Sequence, residues 1–275
     1  MFRPLGLSTS YVGTVIHGMI LGAIVYYIPI YFEVAKDMSP IQAGISCLPW
    51  TMFIGIAAVV TGFTIAGSGH YRGAMGVGWI LTALGIGLMM MFKQDTASAA
   101  WMVIAVLTGI GLGVLYPATS LAMHATASDQ DPFLTPCLIS FFRYMGQMLG
   151  VAIGGVTFQN TVRREMKRFD DVIPYADYYS KEVVALVRAM KETDASDPAL
   201  AMIKQHLITS YIKALRILWL VVCVFAALAL VLSAIFIRGV QSRRKRWQAR
   251  GAVHTMATGE AEGERVVHFP ASRAR

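Results

Sequence analysis

Charge is what this sequence has least of. Asp, Glu, Lys and Arg make up 15% of its 275 residues, against roughly a quarter in a soluble domain. A folded surface so thinly charged would aggregate in water unless something apolar covered it. Cysteine is scarce as well. Cys47, Cys137 and Cys223 fall in three separate apolar segments, with no CxxC and no Cys/His cluster. That pattern argues against a metal site or a disulfide framework and reads as three buried thiols packing as small hydrophobes. Enzyme signatures are missing too: there is no HExxH, no P-loop, no Gly-x-Ser-x-Gly and no pair of intramembrane aspartates. The acidic residues cluster in loops and tail, where solvated surface is the expected role. Neither an enzyme nor a bound cofactor is implied. No cleavable leader is evident, because the first apolar stretch is too long for one and five more follow it.

What the chain does have is apolar length. Hydrophobic residues make up 56% of it, and mean hydropathy is +0.56. A helix rises about 1.5 Å per residue, so a hydrocarbon core of about 30 Å needs about 20 apolar residues. Six segments meet that length: 9–32, 45–66, 73–92, 99–123, 133–159 and 217–237. Helices are expected, since each satisfies its own backbone groups inside lipid. A barrel would need alternating polar and apolar residues, which these segments lack. The predicted fold is an all-α transmembrane six-helix bundle over 1–238, followed by a tail at 239–275 that is first basic and then disordered.

Basic residues beside the spans set the orientation. Arg238, Arg243, Arg244, Lys245, Arg246 and Arg250 follow the last span with no acidic residue among them. That cluster should stay in the cytosol, as a topogenic anchor against anionic lipid rather than a nucleic-acid patch. Six spans then place the N-terminus and Arg3 inside, with His70 and Arg72. The Lys36/Asp37 and Lys93/Asp95 loops lie outside. The long loop 160–211 runs against this scheme, because Arg163, Arg164, Lys167 and Arg168 sit close to a span on the outer side. Acidic residues elsewhere in the loop balance them, and long loops report orientation weakly. Asp197-Pro198 suits an N-cap and first helical position. Leu200, Ile203, Leu207 and Tyr211 recur at helical spacing beyond it, which predicts a surface-lying helix feeding the sixth span.

Within the spans, glycine spacing is the clearest pattern. Gly146, Gly150 and Gly154 recur every four residues, and Gly109, Gly111 and Gly113 precede Tyr116-Pro117. Such faces let backbones pack closely. They serve either as plain tight packing or as smooth surfaces that shear during a conformational cycle. Polar residues inside spans are costly and therefore informative. His17 shares a face with Ile20, Ile24, Tyr27 and Tyr31; it could line a cavity or bond a neighbouring carbonyl. Tyr31 and Glu33 suit the interface. Arg143 is the only fixed charge well inside a span, free either to snorkel or to meet an acidic partner or an anionic solute. Gln147 shares its face one turn on. If the chain moves a solute, His17, Tyr27, Arg143 and Gln147 are the candidate pathway residues, and Gly109, Gly113, Gly146, Gly150 and Gly154 the packing or gating ones.

Five runs carry a family resemblance. They are YYIPIYFEVAKDMSPIQAGISCLP (26–49), GSGHYRG (67–73), GVGWILTALGIGLM (76–89), GIGLGVLYPA (109–118) and FFRYMGQMLGVAIGGVTFQN (141–160). In this order they resemble the C-terminal domain of fungal major facilitator drug transporters, most of all the fourteen-span drug:proton antiporter branch. The resemblance covers the chain to about Arg246. It implies one half of a transporter, built as a three-plus-three inverted repeat, with helices one, two, four and five lining the central site. It also implies proton-driven efflux of small amphipathic molecules, a lipid bilayer and protons as partners, and a plasma-membrane setting. The N-terminal six-helix domain and two linking helices of that branch have no counterpart here. The residues tied to proton coupling lie mainly there, so none of those roles passes to this sequence. Glu33 stands where the family often has glutamine and is not read as a proton carrier. Two alternatives remain open: a siderophore or nutrient transporter of the same superfamily, and, given the abrupt start at Met1, a truncated membrane protein that does not transport or that modulates a full-length partner.

Overall fold

The computed structural model describes residues 3–126, 134–169 and 198–266, with side chains over 10–124, 134–169 and 201–235. Among these residues are six helices: α1 (Arg3–Ala35), α2 (Pro40–Ser68), α3 (Tyr71–Met89), α4 (Ser98–Thr126), α5 (Leu134–Met166) and α6 (Pro198–Val266). Each is long and apolar enough to cross a membrane. The chain divides into two compact units, Met1–Ser233 and Ala234–Arg275. The site described below lies wholly in the first.

Local chemistry explains the helix ends. Ser39 begins α2 with a capping box. Its hydroxyl accepts from the Gln42 amide while the Gln42 side chain accepts from the Ser39 amide, and Pro40 fills the first helical position. Three orphan amide donors are thereby satisfied or removed. At the far end Gly69 takes the left-handed conformation, φ 68°, and its amide donates to the Ile65 carbonyl at 2.8 Å. A Cβ would oppose that conformation, so glycine is the suited residue. The third helix stops at Met89 rather than at 92. The amides of Met90, Met91 and Phe92 donate three residues back, to Gly87, Leu88 and Met89, and this tightening into 3₁₀ geometry closes the helix.

Helix α1 packs on α5, α2 on α4 and α3 on α4, and α1 also meets α4 and α2. Exchanging the first three helices for the last three turns the α1–α5 pair into the α4–α2 pair, the relation that a three-plus-three repeat requires. Helix α1 is the most deeply buried of the six, and α2 turns a long apolar face outward through Ile41, Ile45, Met52, Ile56, Val59 and Phe63. Such a continuous face suits lipid or a protein partner and not water.

An aromatic cluster closes one end of the bundle. Trp50 stacks on Trp101 at 6.3 Å and 7°, Phe32 meets Trp101 edge-on at 5.0 Å, and Tyr31 stacks on Phe92 at 4.8 Å. Tyr31 is therefore interior rather than interfacial: it is buried, and its hydroxyl donates to the Lys93 carbonyl at 2.8 Å. Beside it, Lys36 Nζ donates to the carbonyls of Gln94 and Thr96, both at 2.6 Å.

Three further expectations need correcting. No separate surface helix precedes the sixth span, because α6 is continuous from Pro198, and Leu207, Tyr211, Ala214, Leu218 and Trp219 along it are all buried. Its apolar stripe finds protein rather than the membrane surface. Tyr211 packs edge-on against Phe158 of α5 at 5.3 Å, Arg216 Nε donates to the Met90 carbonyl, and Gln205 reaches Gln94. Asp197, read as its N-cap, lies outside the described residues, as do Phe133 and most of the 160–211 loop. In the second unit the helix continues to Val266, where composition suggested disorder from Gly251. Ala and Glu recur there without a proline before Pro270, and their helix propensity is high. Finally, Cys137 is exposed rather than buried, while Cys47 and Cys223 are half-buried. An apolar span also has an outer face, and hydropathy does not distinguish it from the inner one.

Candidate functional site

The site begins with a crossing of two glycine faces. A Cβ added at Gly146 or Gly150 of α5 would collide with the carbonyls of Val15 and Met19 on α1. One added at Gly18 or Gly22 of α1 would collide with the carbonyls of Arg143 and Gln147 on α5. Each helix thus presses bare backbone into the other, which is how membrane helices gain packing without a hydrophobic drive between them. Gly18 and Gly22 passed unnoticed in the sequence although they share the four-residue spacing. On the other side of the repeat, a Cβ at Gly109 would lie 3.0 Å from the Trp50 carbonyl oxygen, and one at Gly113 would collide with that of Ile54. Gly154 is different, since it faces the Tyr27 ring rather than backbone.

This close approach brings polar side chains of three helices into one layer. Arg143 is 6% exposed. Its Nη2 donates to the Tyr116 carbonyl at 3.1 Å, to Ser120 Oγ at 3.0 Å and to Thr119 Oγ1 at 3.4 Å. Its guanidinium carbon lies 3.7 Å from the centre of the Tyr116 ring, in cation–π contact. Arg143 therefore does not snorkel. His17 is fully buried, and its Nε2 donates to the Leu112 carbonyl at 3.0 Å while its ring meets Tyr116 edge-on at 6.0 Å. Of its two readings, the structure has the carbonyl hydrogen bond. Tyr116 joins the two side chains, and Pro117 follows it inside α4. Proline lacks the amide that would bond back along the helix there, and His17 and Arg143 hold α4 around that missing bond from α1 and α5, at Leu112 and at Tyr116, Thr119 and Ser120. Thr119 and Ser120 escaped the sequence reading, and Tyr116 entered it only as part of the Tyr-Pro pair after the glycine run.

One turn further along α5, a groove opens between α1 and α5. Its volume is about 580 Å³, and Gly22, Val25, Tyr26, Gln147, Met148 and Val151 line it. That size lies within the range of small-molecule sites, and so does its chemistry, apolar walls with few polar groups. The four candidate pathway residues take different places. Gln147 is in the groove. Tyr27 is buried behind it, its hydroxyl donating to the Val151 carbonyl at 3.0 Å; its neighbour Tyr26 is the tyrosine on the groove wall. His17 and Arg143 form the polar layer below. With an amide and a phenol on the walls of an apolar cleft, the arrangement can hold an amphipathic molecule.

A second polar cluster contradicts the expectation that acidic residues are solvated. Glu165, in the last turn of α5, is buried. Lys213 Nζ of α6 lies 3.2 Å and Arg168 Nη1 3.0 Å from its carboxylate, with Arg164 at 4.0 Å. It ties the end of α5 to α6. Nothing in the local sequence separates Glu165 from the loop charges around it, since its burial depends on where α6 lies.

No protein-family model matches the chain. Among curated proteins it is 42% identical over 231 residues to a protein named MFS transporter L2 from Phoma sp., covering 84% of this chain and 38% of that protein. It is 25% identical over 241 residues to efflux pump FUS6 of Gibberella moniliformis, covering 86% and 41%. It is 28% identical over 167 residues to the MFS-type efflux pump MMF1 of Pseudozyma antarctica, covering 61% and 31%. The chain spans about two fifths of the length of the first two of these relatives.

Proposed function

The homologues of this chain are fungal transporters and efflux pumps of the major facilitator superfamily, and from that premise we propose that its six spans form the C-terminal half of a proton-coupled exporter of small amphipathic molecules. The observation that carries the reading is the groove between α1 and α5, where an amide and a phenol stand in an apolar cleft beside a crossing of bare glycine backbone. Gln147 and Tyr26 contact the solute, and Val25, Met148 and Val151 hold its apolar body. The Gly146/Gly150 and Gly109/Gly113 faces let α5 and α4 slide on α1 and α2 as the site turns from one side of the membrane to the other. The proton gradient supplies the drive, through residues outside this chain. Residues 1–238 are the transmembrane domain and 239–275 a cytosolic tail, with both termini inside and the plasma membrane as the site of action. The basic run after the last span supports that orientation.

A chimera tests this. Residues 1–238 replace the matching segment of the Phoma relative, expressed in an efflux-deficient yeast. Retention of neutral, cationic and anionic amphipathic dyes is then measured with and without a protonophore. Lower retention of at least one dye, abolished by the protonophore, is expected. Unchanged retention of every dye, with the chimera folded at the cell surface, refutes export through these residues.

A further inference from the structure

Among the described residues, Arg143 is a buried cation with no buried anion beside it. Its hydrogen bonds all go to neutral acceptors, and its Nε is enclosed with no acceptor. The acidic side chains among the described residues are Glu33, Asp37, Asp95 and Glu165, and all four belong to the opposite end of the bundle. Glu165, on the same helix, is 22 positions from Arg143, about 33 Å at 1.5 Å per residue. Hydroxyl and carbonyl dipoles orient a guanidinium but leave its charge in place. A lone charge within the span of a membrane helix is costly and marks a functional site by default. Arg143 lies one helical turn, about 6 Å, below Gln147 and the groove. The Tyr116 ring, which covers one face of its guanidinium, is itself 43% exposed.

We propose that the groove takes amphipathic organic carboxylates, with the carboxylate held by Arg143 and Gln147 and the apolar body laid along Val25, Met148 and Val151. The inference rests on the reading of the groove as the solute site and adds the charge of its occupant. Guanidinium suits this role because its planar donors match a carboxylate edge-on. At present Nη2 is engaged with α4 and the rest of the fork is not, so an arriving carboxylate would meet donors already oriented by Tyr116, Thr119 and Ser120. An occupied groove would also relieve the bundle of its uncompensated charge.

The test compares naphthalene-2-carboxylate with the uncharged naphthalene-2-carboxamide, binding to the full chain in phosphatidylcholine nanodiscs, which carry no net lipid charge. The carboxylate is expected to bind at least about tenfold tighter, a difference of about 1.4 kcal/mol. Arg143→Gln is expected to erase that preference, and Arg143→Lys to keep part of it. The contrast within the unmodified chain needs no variant to fold. Val25→Trp, at an exposed position on the groove wall, should weaken both ligands together. Equal binding of the two ligands overturns the charge assignment and leaves the groove reading standing, as does a preference that survives Arg143→Gln. Binding of neither ligand overturns the groove reading itself. A preference shown by the chain alone but lost in the chimera assigns the counter-ion to a carboxylate of the other half, and likewise overturns the proposal.

Discussion

Adding one methyl group at Gly146 should loosen the bundle at its most crowded crossing. The new Cβ would fall on the Val15 carbonyl, with the Met19 amide 3.1 Å away. Both obstacles are helix backbone, so no side chain can swing aside. Restoring ordinary contact requires α1 and α5 to part by about 1 Å, a gap that forfeits a quarter to a half of each dispersion contact along the seam. Overpacking of this kind costs about 1–3 kcal/mol. Against it stands the intrinsic gain of alanine over glycine in a helix, up to about 1 kcal/mol. With the full gain, the net expectation for Gly146→Ala is a loss of up to about 2 kcal/mol. Gly55→Ala in α2 supplies the control, because a Cβ there meets nothing within 4 Å and only the propensity gain remains. Thermal unfolding of both variants in the same detergent measures the difference. Gly146→Ala should melt several degrees below Gly55→Ala, at about 2–4 °C per kcal/mol for a domain of this size. Equal melting of the two variants would refute backbone-to-backbone contact at the α1–α5 seam.

Other substitutions test other links. Glu165→Gln removes the buried carboxylate that holds Lys213 and Arg168. Both cations are exposed, Lys213 to 43% and Arg168 to 60%, and can turn to water, so the loss in unfolding free energy should be about 1–2 kcal/mol, below the roughly 3–5 of a fully buried pair. Tyr27→Phe deletes only the hydrogen bond to the Val151 carbonyl. It should cost about 1 kcal/mol of stability and leave groove binding intact, so lost binding would place Tyr27 among the solute contacts instead. Lys36→Met frees the carbonyls of Gln94 and Thr96. Amide exchange over 93–97 should rise while the helix centres stay protected, and unchanged exchange would show that Lys36 does not hold this loop.

Much of the fold was legible because a span announces itself by missing charge. The start of α2 at Pro40, five residues before the expected 45, escaped hydropathy because its Ser39 capping box is polar. Hydropathy, however, measures partition between water and an apolar medium, and inside a membrane both lipid and protein are apolar. Nothing in the sequence therefore says that Tyr27 points into the α1–α5 seam and Tyr26 into the groove. The same blindness hid the burial of Leu207 and Tyr211, whose spacing suits a membrane surface and a protein interface alike. Glycine spacing identified one side of the seam at Gly146 and Gly150, but the partner backbone at Val15 and Met19 is more than a hundred residues away in sequence. Arg143 stood out for its cost, whereas Thr119 and Ser120, which help to hold it, carry no cost and gave no signal, and Tyr116 was marked only by the proline after it.

The groove as solute site is most directly tested by protection of a single thiol. In a chimera with Cys47, Cys137 and Cys223 replaced, Met148→Cys puts a thiol on the groove wall and Val59→Cys puts one on the outward face of α2. Maleimide labelling of each is followed with and without a saturating amount of the best-exported dye. Labelling at position 148 should slow several-fold with dye present, while labelling at position 59 should not change. Identical rates with and without dye at position 148, in a chimera that still exports the dye, would contradict solute binding between α1 and α5.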